Sequence, residues 1–487
     1  MIAILALRHL LVRKLRTLFL LVGFSLGVGV MIVLLSVGEA MLEQSRDATL
    51  IGGGELTILP LGIDIEAMRT GGISAMFFGI DRSRFLVRQV LGGSRHRDMI
   101  RAVSPEIEGK LLYLHRGAVT VPVRAGGEIP SRAAAAGAKL DLEAGTWNDS
   151  PSDSRYIAPT AQQLYDELDH LHIPKVADST WAEWHYFNLV AAPDEWWYIT
   201  YLVGGHIPSG RWGGQLLITH RRKDGEYRRF TSQLPAREIG FDTLHADLEL
   251  GKNFVRQRDG TYRIHARSGT AKTPVTIDLE ITPAPERYFP PLELEEDALT
   301  SGYVVPGLVA NASGRVCDGS RCESLRGVPA YHDHNWGVWR DVTWEWGNAR
   351  GSRLSILYGG VYGPEYKAGG GAPERSPFFL AVLDSAGVNQ VLRFSAIGYT
   401  GSRSATGTNG AVAPREFVLE ATRETDTLRL QVQVGSALAT PMNRGSSPRL
   451  FLQMRGHFTL SGRLLGQSVA DTGAGFFETY VGRTPAE

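Results

Sequence analysis

Two short stretches of the chain bring acidic, imidazole and aromatic side chains close enough together to do chemistry. The first is WAEWHYFN at residues 181–188, followed by DEWWY at 194–198, and the second is YHDHNWGVW at 331–339. A carboxyl group shielded from water keeps its proton to a higher pH, and indole and phenol faces attract cations. Buried together, these side chains could carry out acid chemistry, with Asp333 as the proton donor and His334 orienting or relaying the proton.

The same residues also have plain structural interpretations. Asp333 and Asn335 would pin a sharp turn if their side chains bonded to backbone groups. Glu183 and Glu195 fit either buried acids or solvent-facing ends of strands, and buried tryptophan and tyrosine mostly fill cores. Both interpretations stay open at this stage.

Histidine spacing suggests a metal site but does not complete one. His332 and His334 lie two residues apart, so they share one face of a strand. Zinc needs at least a third protein ligand, and the sequence shows none beside them. We therefore expect no metal ion and no cofactor.

Charge and cysteine usage exclude some classes of protein. Lys plus Arg equals Asp plus Glu, at 51 each, so the chain lacks the basic excess typical of nucleic-acid binding. Cys317 and Cys322 are the only cysteines and are separated by a short glycine-containing loop. In an oxidising compartment such a pair forms a disulfide, whereas a metal site would need a second pair.

The elements that must position the candidate residues are predicted to be strands. Beyond a polar linker and a short helix at 151–175, apolar residues alternate with period two between turn signals. This predicts a mainly β fold of antiparallel sheets closed as barrels or sandwiches. The natural division is into two consecutive barrel-like lobes, at 176–340 and 341–487. The predicted hairpins lie at Leu216–Phe230 around Lys223-Asp224-Gly225, Thr243–Ala266 around Asp259-Gly260, Phe378–Ile397, Glu416–Val434 and Leu450–Leu465. The short helix is predicted over Ala158–Leu171.

Alternation along the first cluster separates its side chains into two sets. Glu183, His185 and Phe187 would point to one side of a strand. Trp184, Tyr186 and Asn188 would then point to the other side.

One N-terminal segment is apolar enough to cross a membrane. Residues 17–37 contain no charged side chain and have the length that a bilayer-spanning helix requires. Basic residues dominate 1–16, and Glu39, Glu43 and Asp47 follow the span. Basic flanks stay in the cytoplasm, so we expect the main body to be periplasmic or otherwise extracytoplasmic, anchored in the inner membrane. A cleaved signal peptide is the alternative interpretation.

The two clusters resemble the AttH-like and carotenoid 1,2-hydratase family of lipocalin-like proteins. The resemblance covers about residues 160–487 and rests on EWHYFNL at 183–189, GVPAYHDHNWGVW at 327–339 and GAGFFE at 473–478. It implies two calycin-like lobes and a pocket for a long apolar or prenylated molecule. The side chains expected to line that pocket are Glu183, Trp184, Tyr186, Trp196, Trp197, Tyr331, Asn335 and Trp339.

In the hydratase branch of that family, the resemblance also implies catalytic residues. His334 and Trp336 match the histidine and tryptophan of the family's H-N-W element, and Tyr358 matches its tyrosine on a following strand. Gly360 stands where the family has an aspartate, and His185 stands where it has a tryptophan. The expected catalytic set is Asp333, His334, Trp336 and Tyr358.

The N-terminal part resembles MacB/FtsX-type ABC-transporter permeases. The matching segments are ALRHLLVRKLRTLFLLVGFSLGVGVMIVLLSVGEAM from residue 6, ELTILPLGID, AVSPEIEGKL and GGEIPSRAAAAGAKLDLEAGTW. The resemblance implies a small α+β permease-like periplasmic segment at 38–150. We therefore expect a membrane-anchored protein that binds a hydrophobic ligand and associates with ABC-transporter subunits. The alternative is an enzyme that hydrates, cyclises or isomerises an isoprenoid or related apolar substrate.

Overall fold

A computed structural model describes the chain over most of its length. The described residues are 14–46, 86, 99–117, 119–136, 148–153, 160–172, 174, 178–296, 299–338, 343–362, 378–442 and 449–482. The chain forms two compact units, one made of residues 1–91 and 99–157 and the other of 92–98 and 158–487. Trp339 and most of the predicted permease-like segment at 38–150 lie outside the described residues.

The first unit contains one long apolar helix and a small hairpin. Helix α1 (Lys14–Arg46) includes the 21-residue apolar stretch Thr17–Val37, which at 1.5 Å per residue is about 30 Å long. That length suits a membrane span and equally an N-terminal signal sequence. Strands β1 (Glu106–Arg116) and β2 (Val119–Glu128) pair antiparallel, and a short helix α2 (Pro130–Ala136) follows.

The second unit consists almost entirely of antiparallel strands. A short helix, α3 (Ala161–Leu168), precedes them and begins with a capping box between Thr160 and Gln163. The strands of the first lobe are β3 Trp181–Ala192, β4 Glu195–His206, β5 Arg211–Arg221, β6 Tyr227–Pro235, β7 Ile239–Phe241, β8 Leu248–Leu250, β9 Asn253–Arg258, β10 Thr261–Gly269, β11 Pro274–Pro283, β12 Phe289–Glu296, β13 Leu299–Asp318 and β14 Arg321–Val338. The later strands are β15 Thr343–Gly351, β16 Ser355–Tyr362, β17 Phe379–Asp384, β18 Gly387–Arg393, β19 Ile397–Thr400, β20 Arg403–Ser404, β21 Val412–Ala413, β22 Glu416–Arg423, β23 Asp426–Met442, β24 Arg449–Leu464 and β25 Gln467–Gly482.

Sheet order confirms the prediction of two barrel-like lobes. The first sheet runs β6-β5-β4-β3-β14-β13-β11-β10-β9-β8-β7, with β12 beside β13, and is nearly closed because β10 approaches β6. The second runs β18-β17-β16-β15-β25-β24-β23-β22-β19, and pairing of β18 with β22 closes it. Strands β20 and β21 form a separate pair.

Alternation along the strands gives each lobe an inner core and leaves one face for the contact between them. Phe187, Leu189 and Ile199 belong to the inner core of the first lobe, and Ile356 and Phe477 to that of the second. A third cluster contains side chains from both lobes, and we call it the interlobe face. Its buried members are Tyr186, Trp196, Tyr198, Phe289, Tyr303, Val305, Leu308, Tyr331, Trp346, Leu357, Phe379, Ala381, Leu383 and Phe476.

Most predicted hairpins are confirmed, and one is wrong. The turns at Asp224-Gly225 and Asp259-Gly260 have left-handed backbone at Asp259 and both glycines, which is why these residue types occur there. The predicted hairpins over 378–397 and 416–434 are also present. Residues 450–465, by contrast, belong to the single strand β24, which turns only at Leu465 and Gly466 to enter β25.

Candidate functional site

Strands β3 and β14 carry the candidate residues and lie side by side in the first lobe. Their antiparallel register places His334 opposite His185 and Asp333 opposite Tyr186. Since neighbouring residues in a strand face opposite sides, His334 points into the first lobe while Asp333 points toward the interlobe face. The predicted alternation along the first cluster is confirmed.

On the inner side, His334 lies between two carboxyl groups. Its Nδ1 is 2.5 Å from Asp169 Oδ1, and its Nε2 is 2.8 Å from Glu183 Oε1. The His185 ring stacks on it, with ring centroids 4.1 Å apart. His332 Nε2 lies 3.6 Å from Asp169 Oδ2, which is too long for a hydrogen bond. We call these five fully buried residues the His334 network.

Helix α3 and the segment after it bring the acids of this network into place. Asp169 follows directly after the helix, and its backbone N–H donates to Tyr165 O, which fixes the carboxyl group over the barrel interior. Tyr262 Oη donates to Asp169 Oδ2 at 2.5 Å. Glu183 accepts from the backbone N–H of His172 at 2.8 Å, and the His172 ring lies 3.1 Å from the same oxygen.

The members of the His334 network differ in the direction in which their pKa values are shifted. Burial opposes a charge on His334, but the adjacent Asp169 and Glu183 carboxylates outweigh it and raise its pKa to about 9. Burial likewise opposes ionisation of both acids, yet their histidine neighbours hold the pKa of Asp169 well below, and that of Glu183 below, the ordinary value. Burial lowers the pKa of His185 and His332, so both are neutral near pH 7.

Trp336 lies on the same inner side of β14 as His334 and packs against His172. The two rings stack with centroids 3.6 Å apart and planes inclined by 10°. Trp336 lies directly over Gly302 of β13, where a Cβ atom would come 2.1 Å from the indole ring. A glycine is therefore required beneath the indole for this stack to form.

On the other side of β14, Asp333 is held by side chains and faces the second lobe. Tyr331 Oη donates to Asp333 Oδ2, and Asn335 Nδ2 donates to Asp333 Oδ1, each at 2.7 Å. Trp346 Nε1, from the second lobe, donates to Tyr331 Oη at 2.9 Å. The interpretation in which Asp333 and Asn335 pin a turn is wrong, because both lie in mid-strand and bond to each other.

A second carboxyl group, Glu478 of β25, belongs to the same region. It accepts from Trp344 Nε1 at 3.1 Å and from Gln453 Nε2 at 3.3 Å. Burial raises the pKa of Glu478 to about 7. Burial, together with repulsion from Glu478, raises the pKa of Asp333 to about 8. In the part of the chain that the structure describes, no Lys, Arg or His nitrogen lies within ion-pairing distance of either group.

The four residues expected to act together are distributed over three environments. His334 and Trp336 face the interior of the first lobe, and Asp333 faces the interlobe face. Tyr358 lies in the core of the second lobe, and the rings around it are Phe394, Phe417 and Phe477. Glu183 and Trp197, expected in the ligand pocket, face the first lobe's interior. The expected pocket residues gathered at the interlobe face are Trp184, Tyr186, Trp196, Tyr331 and Asn335.

Several site residues escaped the sequence analysis. The sequence analysis considered only His332 as a companion of His334, whereas the described structure brings donor atoms of Asp169 and His185 near His334, and His332 does not belong to that group. The predicted helix over 158–171 included Asp169. In the structure α3 ends at Leu168, so Asp169 lies just beyond the helix and its carboxyl group reaches His334. Glu478 was present in the quoted GAGFFE motif, but nothing in one sequence pairs that strand with β15.

A second buried histidine between two carboxyl groups lies elsewhere in the first lobe. His220 Nε2 is 3.1 Å from Glu195 Oε1, its Nδ1 is 2.8 Å from Asp318 Oδ2, and its ring stacks on Trp197 at 3.7 Å. Asp318 also accepts from the guanidinium groups of Arg222 and Arg228. Cys317 and Cys322 form a disulfide across the adjacent β13–β14 hairpin. Glu195 is therefore a buried acid, and the cluster of side chains to which it belongs has a structural role.

The fold and site together define a mainly β protein of two consecutive lipocalin-like lobes. No model of a known protein family and no curated protein matches the chain. Solved structures similar to it include an AttH-like protein of Nitrosomonas europaea, at 15% identity and a TM-score of 0.43, over 64% of this chain and 98% of that one. Kievitone hydratase from Nectria haematococca is 11% identical with a TM-score of 0.42, over 61% and 88% of the two chains. CghA with Sch210972 is 12% identical with a TM-score of 0.41, over 63% and 90%. Identities of 11–15% and TM-scores of 0.41–0.43 are too low to support a functional inference, so the function has to be argued from the geometry of the site.

Proposed function

We propose that the two-lobed body binds an apolar, lipid-like or isoprenoid-like molecule at its interlobe face. Aromatic rings from both lobes contribute, among them Tyr186 and Tyr331 of the first and Trp346 of the second. A contact that served only to join the lobes would contain few polar groups without partners. Here Tyr303 Oη is buried with no hydrogen-bond partner among the described residues. A ligand with a polar end would satisfy that group.

The observation that carries the proposal is the pair of carboxyl groups within this aromatic region. Asp333 and Glu478 lie among rings and hydrogen-bond donors, without a cationic partner in the described structure. Burial of an unpaired acid is costly, so its presence needs a functional reason. A neutral carboxyl group in such surroundings donates a hydrogen bond to a ligand.

The binding proposal is tested with the full-length chain in detergent and geranylgeraniol as an isoprenoid probe. Quenching of tryptophan fluorescence reports the binding. We expect Trp346→Leu to weaken binding at least about tenfold, since aromatic anchors dominate such contacts. Trp212→Leu is the matched control, because Trp212 packs on Phe241 away from the interlobe face. Absence of binding by the native chain, or equal loss in both variants, would contradict the proposal.

Acid catalysis is the second candidate function, and the position of Asp333 favours it. Hydration of a trisubstituted alkene adds a proton to the less substituted carbon and water to the resulting cation, and returns one proton to the acid. Nearby indole and phenol faces would stabilise the cation. Isomerisation would use the same proton addition followed by loss of a different proton.

Isotope incorporation separates catalysis from binding. The full-length chain is incubated with isoprenoid alkenes in D2O, and deuterium in the recovered lipid is measured by mass spectrometry. We expect Asp333→Asn to abolish incorporation while geranylgeraniol binding persists. Glu345→Gln, which changes an acid inside the second lobe, should retain incorporation. If Asp333→Asn incorporates deuterium at the native rate, Asp333 is not the donor.

We also propose that α1 anchors the chain in the inner membrane beside an ABC export system. Lys14 and Arg16 precede the apolar stretch, while Glu39 and Glu43 follow it, so the charge asymmetry favours a cytoplasmic N-terminus. The resemblance of the first 150 or so residues to permeases supports the association. Protease digestion of spheroplasts should remove the main body and leave an N-terminal fragment in the membrane. Release of the entire body as a soluble protein would instead identify a cleaved signal.

A further inference from the structure

We propose that Asp169, His185 and His334 bind a divalent transition-metal ion of the zinc type. One donor atom from each lies within 4.8 Å of the other two, and all three side chains are buried. Imidazole and carboxylate are ligands that zinc accepts, and three protein ligands leave one position open for water or a substrate. This site faces the interior of the first lobe and is separate from the interlobe face.

Two histidines of the network make fewer hydrogen bonds than buried imidazoles normally do. Neither ring nitrogen of His185 has a side-chain partner among the described residues, although the backbone of Ala246 lies nearby. His332 uses Nδ1 to contact the Tyr186 carbonyl, but its Nε2 has no hydrogen-bond partner in the described structure. Buried polar atoms without partners are rare in native proteins. A metal ion would satisfy a ring nitrogen of His185 directly.

The second argument is charge balance. Histidines are the only described cationic side chains within ion-pairing distance of Asp169 and Glu183. The Asp318 carboxylate, which lies against His220, has two arginines as additional partners. A divalent ion would offset both carboxylates of the His334 network, which have no arginine or lysine beside them in the described structure.

Hydrogen bonds around the donors have the arrangement found in metal sites. A metal-bound histidine commonly donates its second ring N–H to a carboxylate, which fixes the ring. Glu183 is in position to accept from His334 Nε2, so His334 Nδ1 would be the metal donor toward Asp169. Tyr262 donates to the other oxygen of Asp169 and holds that carboxyl group. The ion would thus take the place of the hydrogen bond between His334 Nδ1 and Asp169 Oδ1.

His172 provides the connection from solvent to this site. Its side chain is 24% exposed, yet its ring contacts Glu183. The network therefore lies one side chain below the surface at His172.

The experiment measures metal bound to the full-length chain in detergent. The protein is stripped with a chelator, dialysed against Zn2+ or Co2+, and its metal content is measured by mass spectrometry. We expect one ion per chain, and visible absorption bands of tetrahedral Co2+. His185→Phe keeps a ring stacked on His334 but removes a ligand, so we expect at least about 100-fold weaker binding.

His220→Gln is the matched control, because it changes a buried histidine between two carboxyl groups that has arginines nearby. This variant should bind one ion as the native chain does. Circular dichroism of each variant establishes that it is folded, and Asp169→Asn provides a second ligand change if His185→Phe does not fold. The proposal fails if the native chain retains no Zn2+ or Co2+ after dialysis. It also fails if a folded ligand variant binds as tightly as the native chain.

Discussion

Glu345 offers a direct test of how burial controls acidity in this fold. The side chain is 5% exposed and lies inside the second lobe, on the face of β15 opposite Trp344 and Trp346. Tyr399 Oη donates to its Oε2 at 2.6 Å, and Thr479 Oγ1 donates to its Oε1 at 2.8 Å. Burial outweighs these two hydrogen bonds and raises the pKa of Glu345 to about 7. Replacing it with glutamine removes the titration and keeps the shape.

The size of the effect follows from the pKa shift. Folding raises the glutamate pKa from its ordinary 4.5 to about 7, which corresponds to about 3 kcal/mol. Because the folded pKa is the higher one, the folded state binds more protons than the unfolded state between these values. Stability from the neutral acid is therefore complete below pH 4.5 and is lost as the pH rises through about 7.

Urea unfolding at pH 5 and pH 8 measures this contribution. At pH 8 we expect Glu345→Gln to be more stable than the native chain by about 1–3 kcal/mol, with a smaller difference at pH 5. Glu420→Gln is the control, because Glu420 is exposed and such changes stay within about 0.5 kcal/mol. An equal difference between Glu345→Gln and the native chain at both pH values would refute the reasoning.

Two other substitutions test close packing and carboxylate binding. Gly302→Ala would place a Cβ atom 2.1 Å from the Trp336 ring, so we expect a loss of about 1–3 kcal/mol in urea unfolding. Gly398→Ala, where the nearest atom lies 3.7 Å away, should cost less than about 1 kcal/mol. Asp471 accepts hydrogen bonds from the Ser352 hydroxyl and from backbone N–H groups of 352–354, which hold its pKa below the ordinary value despite burial. Asp471→Asn should therefore destabilise by about 1–3 kcal/mol at neutral pH, and the difference should shrink as the pH falls.

Local patterns predicted most of the fold because each strand has its own alternation and turn residues. The turn at Asp259-Gly260 needs left-handed backbone, and the residues there supply it. The error over 450–465 arose because β24 continues without a break to Leu464, so the turn lies at Leu465 and Gly466, at the end of the predicted segment and not in its middle. Closure of the second barrel, by contrast, depends on pairing of β18 with β22, and no local segment encodes that pairing.

The candidate site was predicted in composition but not in arrangement. Alternation along β3 correctly separated Glu183 and His185 from Trp184 and Tyr186, because a strand has only two faces. It gave no information on Asp169, whose carboxyl group reaches His334 from the end of a helix in a different element. Partners contributed by loops and helix ends depend on tertiary packing, and one sequence contains no pattern for them.

Asp333 and His334 show why neighbours in a motif need not share a function. They are adjacent in the chain, but the pleat of β14 places them in environments with opposite effects on charge. Contact with the second lobe removes Asp333 from water and keeps its carboxyl group neutral, whereas two carboxylates near His334 favour its charged form. The acid at the interlobe face therefore requires both lobes. The His334 network requires only the first lobe and the segment that follows α3, so loss of one site by mutation need not imply loss of the other.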